Sequence, residues 1–474
     1  MESGSYALTS GIARRERFFV RSTSGGRRFA SRGLNIFREE ITMTSRWSLA
    51  GVTAVTLAAC LASAPISAQE AVPDQARLAE LYRAQDCFGL RDALIGDYDG
   101  RRDGALDFYR AAMDVAFNRP DAAIPWLRQF LRSRGAANDD RMRQTAYELL
   151  GDAYVRTGRY RDAAEVYRRL ENDARTDSTG RANATNVRGL WGALAGTPAQ
   201  RVETPGPVRI ATTRDKANLV NVAVAANGRT VDFVWDTGAN LSTVIESTAR
   251  EMGIRVLDAT VDVGSSTGQD TRARVGIAPE LRIGEATVRN AVFLVFPDSA
   301  LAFPQIDYQI RGIVGFPVIA GFGATTVMRD GGLVLGDTVG GHTGEQNLCM
   351  RGLMPVIAAD HAGERLHFGF DTGAQTTSLY RPFHAARRAL VESGGAPAPV
   401  QTGGAGGVRE VQAYSLSPLV LTIGGREVTV PTVSVYTETT TDDSDRLFGN
   451  IGQDVIRQFE SMTLDFRRMQ IRFN

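Results

Sequence analysis

From about Val72 to Leu194, apolar residues recur at three- and four-residue intervals with almost no β-branched runs, a spacing that predicts a set of helices each burying one face. The clearest stretch runs from Tyr147 to Leu170. After Thr197-Pro198, the Pro- and Gly-containing segment TPAQRVETPGPV marks a linker, and the pattern then changes. Val220 to Val224, Val231 to Trp235, Val292 to Phe296 and Val430 to Tyr436 alternate or run β-branched between Gly, Asn and Pro residues, as strands do. The chain therefore divides into an all-α region at 70–197, a linker at 198–208 and an all-β half beyond it. With 474 residues, several packed units are expected rather than one.

Within the helical region, Tyr147, Leu150, Gly151, Tyr154, Gly158, Tyr160, Ala163, Tyr167 and Leu170 fall where a tetratricopeptide repeat places its packing residues, so this segment resembles one such repeat. A poorer copy lies 41 residues earlier, where Asp121-Ala122-Ala123 and Trp126 stand for Asp162-Ala163-Ala164 and Tyr167. Such hairpins bind a protein partner or pack on their own chain; a plain helical bundle is the alternative.

One apolar segment, Trp47 to Cys60, follows Arg46 and leads through LASAPISA to a polar stretch, which reads as an export signal over about residues 43–68. Its position makes Met43 the candidate start, with residues 1–42 as an extension in the alternative. Leu57-Ala58-Ala59-Cys60 also resembles a lipoprotein box, so membrane association is expected only through a lipid anchor at Cys60; otherwise the protein is periplasmic or secreted. Of the three cysteines, Cys87 and Cys349 then remain, either as one disulfide or as two buried thiols. The formal net charge of +1, with arginines scattered among acids, leaves no field to hold a polyanion and excludes nucleic acid as an expected partner.

The β half repeats itself. Val231-Asp232-Phe233-Val234-Trp235-Asp236-Thr237-Gly238-Ala239 corresponds to Leu366-His367-Phe368-Gly369-Phe370-Asp371-Thr372-Gly373-Ala374, with turn glycines Gly228 and Gly363 eight residues before each aspartate. Downstream, Leu281 to Gly284 parallels Leu421 to Gly424, and Ile313-Val314-Gly315 parallels Asn450-Ile451-Gly452. Val318-Ile319 and Phe322 then match Val455-Ile456 and Phe459.

Two Asp-Thr-Gly motifs, each followed by an apolar residue pair and a glycine, resemble the two lobes of the pepsin and retropepsin aspartic proteases over residues 209–474, with both halves in one chain. The resemblance implies a bilobal acid-protease fold, with lobes at 209–340 and 350–474, and a cleft for a peptide or protein substrate in extended conformation. It implies Asp236 and Asp371 as catalytic, Thr237 and Thr372 hydrogen-bonding across the lobes, and Gly238 and Gly373 permitting a tight approach. The chemistry asks for these groups independently: amide hydrolysis without metal or cofactor needs one carboxylate to take a proton from water while another donates one. Two carboxyls in contact share a proton and so divide into acid and base; aspartic proteases are the standard illustration. Ala239 and Ala374 lack the hydroxyl that pepsin-like enzymes place beside the carboxylates, so a less acidic dyad and a pH optimum nearer neutrality are expected.

Substrate-binding flaps are expected in the hairpins Gly264 to Gly268 and Thr402 to Gly407, giving Ser266, Thr267, Gly403 and Gly404 as contacts, although neither hairpin has the tyrosine of a pepsin flap. Gly264-Ser265-Ser266-Thr267-Gly268 also fits G-x-S-x-G, but an extended stretch follows it where a nucleophile elbow needs a helix. The four histidines lack metal-ligand spacing, and no metal site is expected. The function expected is that of an exported aspartic endopeptidase; the alternative is a non-catalytic binding module with the same fold.

Overall fold

The computed structural model describes residues 75–94, 104–264, 270–337, 345–404, 407–440 and 445–474, together with a two-residue strand at Ala7–Leu8. The export segment with Met43 and Cys60, and the flap-tip residues Ser266 and Thr267, lie outside the described residues.

Helices occupy the first part, as the three- and four-residue spacing predicts. They are α1 (Gln75–Arg83), α2 (Cys87–Ala93), α3 (Gly104–Ala116), α4 (Pro120–Phe130), α5 (Arg134–Asn138), α6 (Asp140–Arg156), α7 (Tyr160–Asn172) and α8 (Ser178–Ala193). Their starts are written in local chemistry. Asp86, Asp139 and Asp177 each accept a hydrogen bond from a backbone N–H of the first turn of α2, α6 and α8, at 2.7, 2.8 and 2.7 Å. Pro120 opens α4, where its missing N–H leaves nothing unpaired. Gly158, at φ +69°, turns the chain between α6 and α7. Those two helices approach closely because Gly151 has no side chain: a Cβ there would lie 2.5 Å from the Tyr167 ring, whose hydroxyl donates to Asp152 at 3.0 Å.

The helices do not keep a core to themselves. Leu150, Ala163, Tyr167 and Trp191 belong to one apolar cluster that continues into Val261, Val263, Val275, Ile277, Leu294 and Phe296 of the β half. Polar ties cross the same boundary. The Asn186 side chain of α8 donates to the Asp262 carbonyl at 2.8 Å and accepts from its N–H at 2.9 Å, and Asn118 donates to the Phe466 carbonyl at 2.9 Å. At α2, Cys87 is disulfide-bonded to Cys349, Arg91 donates to the Gln346 carbonyl at 2.6 Å, and His367 Nε2 lies 3.4 Å from Asp86 Oδ1.

The β half contains two large sheets built on one plan. In the nine-stranded sheet, Arg229–Trp235 pairs antiparallel with Val220–Ala226 on one side and parallel with Gly312–Val314 on the other. In the ten-stranded sheet, Glu364–Phe370 pairs antiparallel with Met354–His361 and parallel with Gly449–Ile451. The turn glycines read from the repeat do turn: Gly228 and Gly363 have φ +71° and +80°, Gly284 and Gly424 +58° and +56°. Trp235 and Phe370 are fully buried, both in one apolar cluster that runs through the two halves. The stretch at 198–208 carries Arg201–Glu203, an edge strand paired to Ala286–Phe296, so it is bound to the first sheet.

A third, five-stranded sheet joins the halves. Ala324–Met328, from the first copy, lies antiparallel to Ser461–Asp465, from the second, and Thr326 and Thr463 share a hydroxyl hydrogen bond of 2.8 Å at its centre. An all-α region followed by a large β region of two repeated halves is the fold class that the sequence pattern implies.

Candidate active site

Each Asp-Thr-Gly loop leaves the end of a strand whose neighbour runs parallel to it. Asp236 N–H donates to the Val314 carbonyl at 3.1 Å, and Asp371 N–H to the Ile451 carbonyl at 3.0 Å. The glycines that end those neighbouring strands are held alike: Gly315 N–H donates to Ser242 Oγ and Gly452 N–H to Thr377 Oγ1, both at 3.1 Å. Two copies of one local structure therefore present two aspartates at the ends of two parallel strand pairs.

The loops interlock through their threonines. Thr237 Oγ1 donates to the Phe370 carbonyl at 2.9 Å and accepts from Thr372 N–H at 3.1 Å; Thr372 Oγ1 donates to the Trp235 carbonyl at 2.8 Å and accepts from Thr237 N–H at 3.1 Å. Both threonines are buried. Each hydroxyl thus serves one donor and one acceptor of the opposite loop, which fixes the two loops against each other.

That grip puts the carboxyls together. Asp236 and Asp371 are each 3% exposed, and each carboxyl lies against the glycine of the opposite loop. Each also accepts from the glycine of its own loop, Gly238 N–H to Asp236 Oδ1 at 2.8 Å and Gly373 N–H to Asp371 Oδ1 at 2.7 Å. The glycines are required by the opposite carboxyl. A Cβ on Gly238 would lie 2.6 Å from Asp371 Cγ, and one on Gly373 2.5 Å from Asp236 Cγ, so no other residue fits. Burial, and then the charge of Asp236, push the Asp371 carboxyl well above the usual carboxylate range, while Gly373 N–H and the Asn450 amide pull it down. Such a pair holds one proton between two acids across a wide pH range.

Residues 220–318, which include the first loop and its neighbouring strand, match the family model for aspartyl protease. The chain carries an aspartyl-protease-like domain. Among solved structures, the chain is similar to conglutin gamma, a unique basic 7S globulin from lupine seeds, at 10% identity over 57% of this chain and 95% of that one, with a TM-score of 0.37. It is also similar to the basic 7S globulin from soybean, at 12% identity over 57% of this chain and 94% of that one, with a TM-score of 0.36. No curated protein matches the chain in sequence.

Around the aspartyl-protease-like site, the six residues Asp236, Thr237, Gly238, Asp371, Thr372 and Gly373 come together in one cluster. Gly403 and Gly404 lie in a hairpin formed by Val400–Gly404 and Gly407–Val411, in register Gly403 opposite Val408. Val408 packs on an apolar cluster of the first half that includes Ala239, Phe303, Ile310 and Ile313, so this second-half hairpin reaches over the neighbourhood of Asp236. Ala7–Leu8 pairs in parallel with Thr402 and Gly403 of the same hairpin. The corresponding first-half hairpin, Arg255–Gly264 with Asp270–Ile283, leads to the tip that contains Ser266 and Thr267.

One residue at the site goes beyond what the sequence implies. Asn450, read only as the counterpart of apolar Ile313, donates from Nδ2 to Asp371 Oδ2 at 3.3 Å. A polar residue in the place of an apolar one was its visible signal.

Proposed function

We propose that the chain is an aspartic-type endopeptidase in which Asp236 and Asp371 activate water against a peptide bond of an extended substrate. The observation that carries this is the meeting of two nearly inaccessible carboxyls, each against the glycine of the opposite loop, locked by reciprocal threonine bonds and by glycines that admit no Cβ. With one proton on the pair, the ionised carboxylate takes a proton from water as the water oxygen attacks the peptide carbonyl carbon, and the protonated carboxyl gives its proton to the carbonyl oxygen. The resulting diol collapses when a hydroxyl returns its proton to the dyad and the nitrogen takes one from it. The C–N bond breaks, and the pair is left with its single proton. No metal or cofactor takes part in this sequence.

The hairpin bearing Gly403 and Gly404 and the one leading to Ser266 and Thr267 serve as flaps over the substrate. The segment at 43–68 acts as the export signal, and the protein works outside the cytoplasm, released or anchored through Cys60; the Cys87–Cys349 disulfide, which persists in oxidising compartments, supports this. The tetratricopeptide-like helices act as a buttress of the first lobe and leave their outer faces for a protein partner.

The test is cleavage of an unfolded protein by the parent chain and by Asp371→Asn. Cleavage suppressed by a pepstatin-like inhibitor and abolished by the substitution is expected, and equal activity in the two proteins would remove the peptidase assignment. The pH profile of the parent should peak well above about pH 3, since the loop alanines give the carboxylates no hydroxyl donor.

A further inference from the structure

Beside the aspartate loops, a patch of polar groups joins the two halves. The first-half turn at 215–219 carries Ala217 and Leu219, which pack on the apolar cluster of Ala239 and Phe303 that the flap residue Val408 also touches. Asn218 stands between them and donates from Nδ2 to Gln375 Oε1 at 3.2 Å, and Gln375 lies four residues beyond Asp371. Two guanidiniums meet this bond from either side. Arg214 Nη1 donates to the Asn218 carbonyl at 2.9 Å, and Arg457 Nη2 to the Gln375 carbonyl at 3.3 Å. Arg457 Nε also donates to the carbonyl of Gln453, whose side-chain amide donates to the Thr372 carbonyl at 2.9 Å, so the patch is tied to the loop of Asp371.

The charge of this patch is not balanced within it. Among the described residues, both guanidiniums donate to carbonyl oxygens and neither pairs with a carboxylate. Asp215, next to Arg214 in the chain, is committed elsewhere: it accepts from Leu219 N–H at 2.9 Å, from Asn221 Nδ2 at 2.8 Å and from the Tyr308 hydroxyl at 2.5 Å. The two cations are near enough to oppose each other, since desolvation and then the charge of Arg457 lower the proton affinity of Arg214, with Asp215 acting the other way. Gln375, only 8% exposed, has an Nε2 with no hydrogen-bond partner, and an amide donor buried without an acceptor costs free energy. The repeat does not call for a cation here, because the first-half counterpart of Arg457, five residues beyond the matching glycine, is Ala320.

Resting on the peptidase reading above, we propose that Arg214, Arg457 and Gln375 form a subsite of the cleft that takes a carboxylate of the substrate, so that peptides with an acidic group near the cut bond are preferred. A carboxylate accepts from several donors at once and is the complement of two guanidinium forks and an amide N–H. Bound there, it offsets the repulsion between the arginines and gives Gln375 its acceptor. A Glu or Asp side chain and the free C-terminus of a peptide carry the same group.

The bonds cut in an unfolded protein are located by mass spectrometry. Peptides spanning one of them are made with Glu or Gln at each flanking position in turn, and with a free or an amidated C-terminus. The kcat/KM should favour the acid about tenfold at one flanking position, or at the C-terminus, and added salt should shrink the preference. In Arg214→Gln/Arg457→Gln the preference should fall to about twofold or less, and Arg457→Lys, which keeps the charge, should retain part of it. Thermal unfolding checks the fold; Arg214→Gln alone, on an exposed two-residue strand, should still lose about threefold of the preference if the double variant does not fold. Equal rates on every acid and amide pair, or a preference that survives in a folded arginine variant, would overturn the proposal. Fluorescence anisotropy with Asp371→Asn, using labelled peptides that differ only in one Glu or Gln, makes the same comparison without cleavage. Tighter binding of the Glu peptide that is lost with the two arginines would uphold the subsite even if the peptidase reading failed, and equal binding of the two peptides would remove it.

Discussion

Replacing Thr237 or Thr372 by Val keeps the shape and removes a hydroxyl that serves two buried backbone groups of the opposite loop. With a carbonyl and an N–H left unpaired, each substitution should cost about 2–4 kcal/mol in denaturant unfolding and at least tenfold in kcat, whereas Ser at the same position should retain most of both. A second expectation concerns pH. Asp371 has its folded value raised, so the protonated form is favoured by folding; its contribution to stability is complete below the ordinary carboxyl range and is lost as pH rises through the raised value. The parent should therefore lose stability relative to Asp371→Asn across that window, and parallel melting temperatures for the two proteins would contradict a raised Asp371. Both aspartates, both threonines and both glycines were legible because the motif occurs twice in matching surroundings. Asn450 was legible only as a position: its neighbour Gly369 lies 81 residues away in sequence, and a parallel pairing of that separation leaves no local trace.

The elements themselves follow from short-range pattern. Helix starts at Asp86, Asp139 and Asp177 and turns at Gly228 and Gly363 depend on side chains within a few residues of the break, which is why they could be read. The attachment of elements to one another was hidden. Arg255–Gly264, the first-half strand leading to the tip with Ser266 and Thr267, is the edge of its sheet, and its exposed backbone is met by the side-chain amide of Asn186 on α8, which bonds both the N–H and the carbonyl of Asp262. Asn186→Ala should free that edge, cost about 1 kcal/mol of stability and raise KM for a peptide severalfold while leaving kcat nearly unchanged. An unaltered KM would separate α8 from flap placement. At α2 the same logic concerns the disulfide to Cys349, which closes a loop spanning a sequence separation of 262; replacing both cysteines by serine should lower stability by about 2–5 kcal/mol in chemical unfolding. His367, packed beside Phe88 and Asp86, is held below its ordinary value mainly by burial, with Asp86 opposing, so the docking of α2 should weaken as pH falls through the histidine range.

At the scale of the molecule, the tandem halves and the helical region were visible in the sequence, but the way they are joined was not. The duplicated motifs mark two lobes; the shared sheet of Ala324–Met328 and Ser461–Asp465 comes from segments with no motif of their own. The helices likewise show an apolar face that a bundle could bury by itself, and nothing in their periodicity records that Val261, Val263, Val275, Ile277, Leu294 and Phe296 complete the same core. This arrangement bears on whether the helical region can be a removable pro-segment. Uncovering those six side chains would forfeit roughly 1.5–3 kcal/mol apiece where burial is complete, a sum comparable with the whole net stability of an ordinary domain, about 5–15 kcal/mol. A chain beginning at residue 201, with Cys349→Ser to avoid a stray thiol, should therefore be insoluble or molten, while the full chain should unfold in one calorimetric transition that includes helices and sheets together. Two separate transitions, or a soluble and active truncated chain, would mean that the helices are a detachable cover. A single transition would make them part of the scaffold that holds the first aspartate opposite the second.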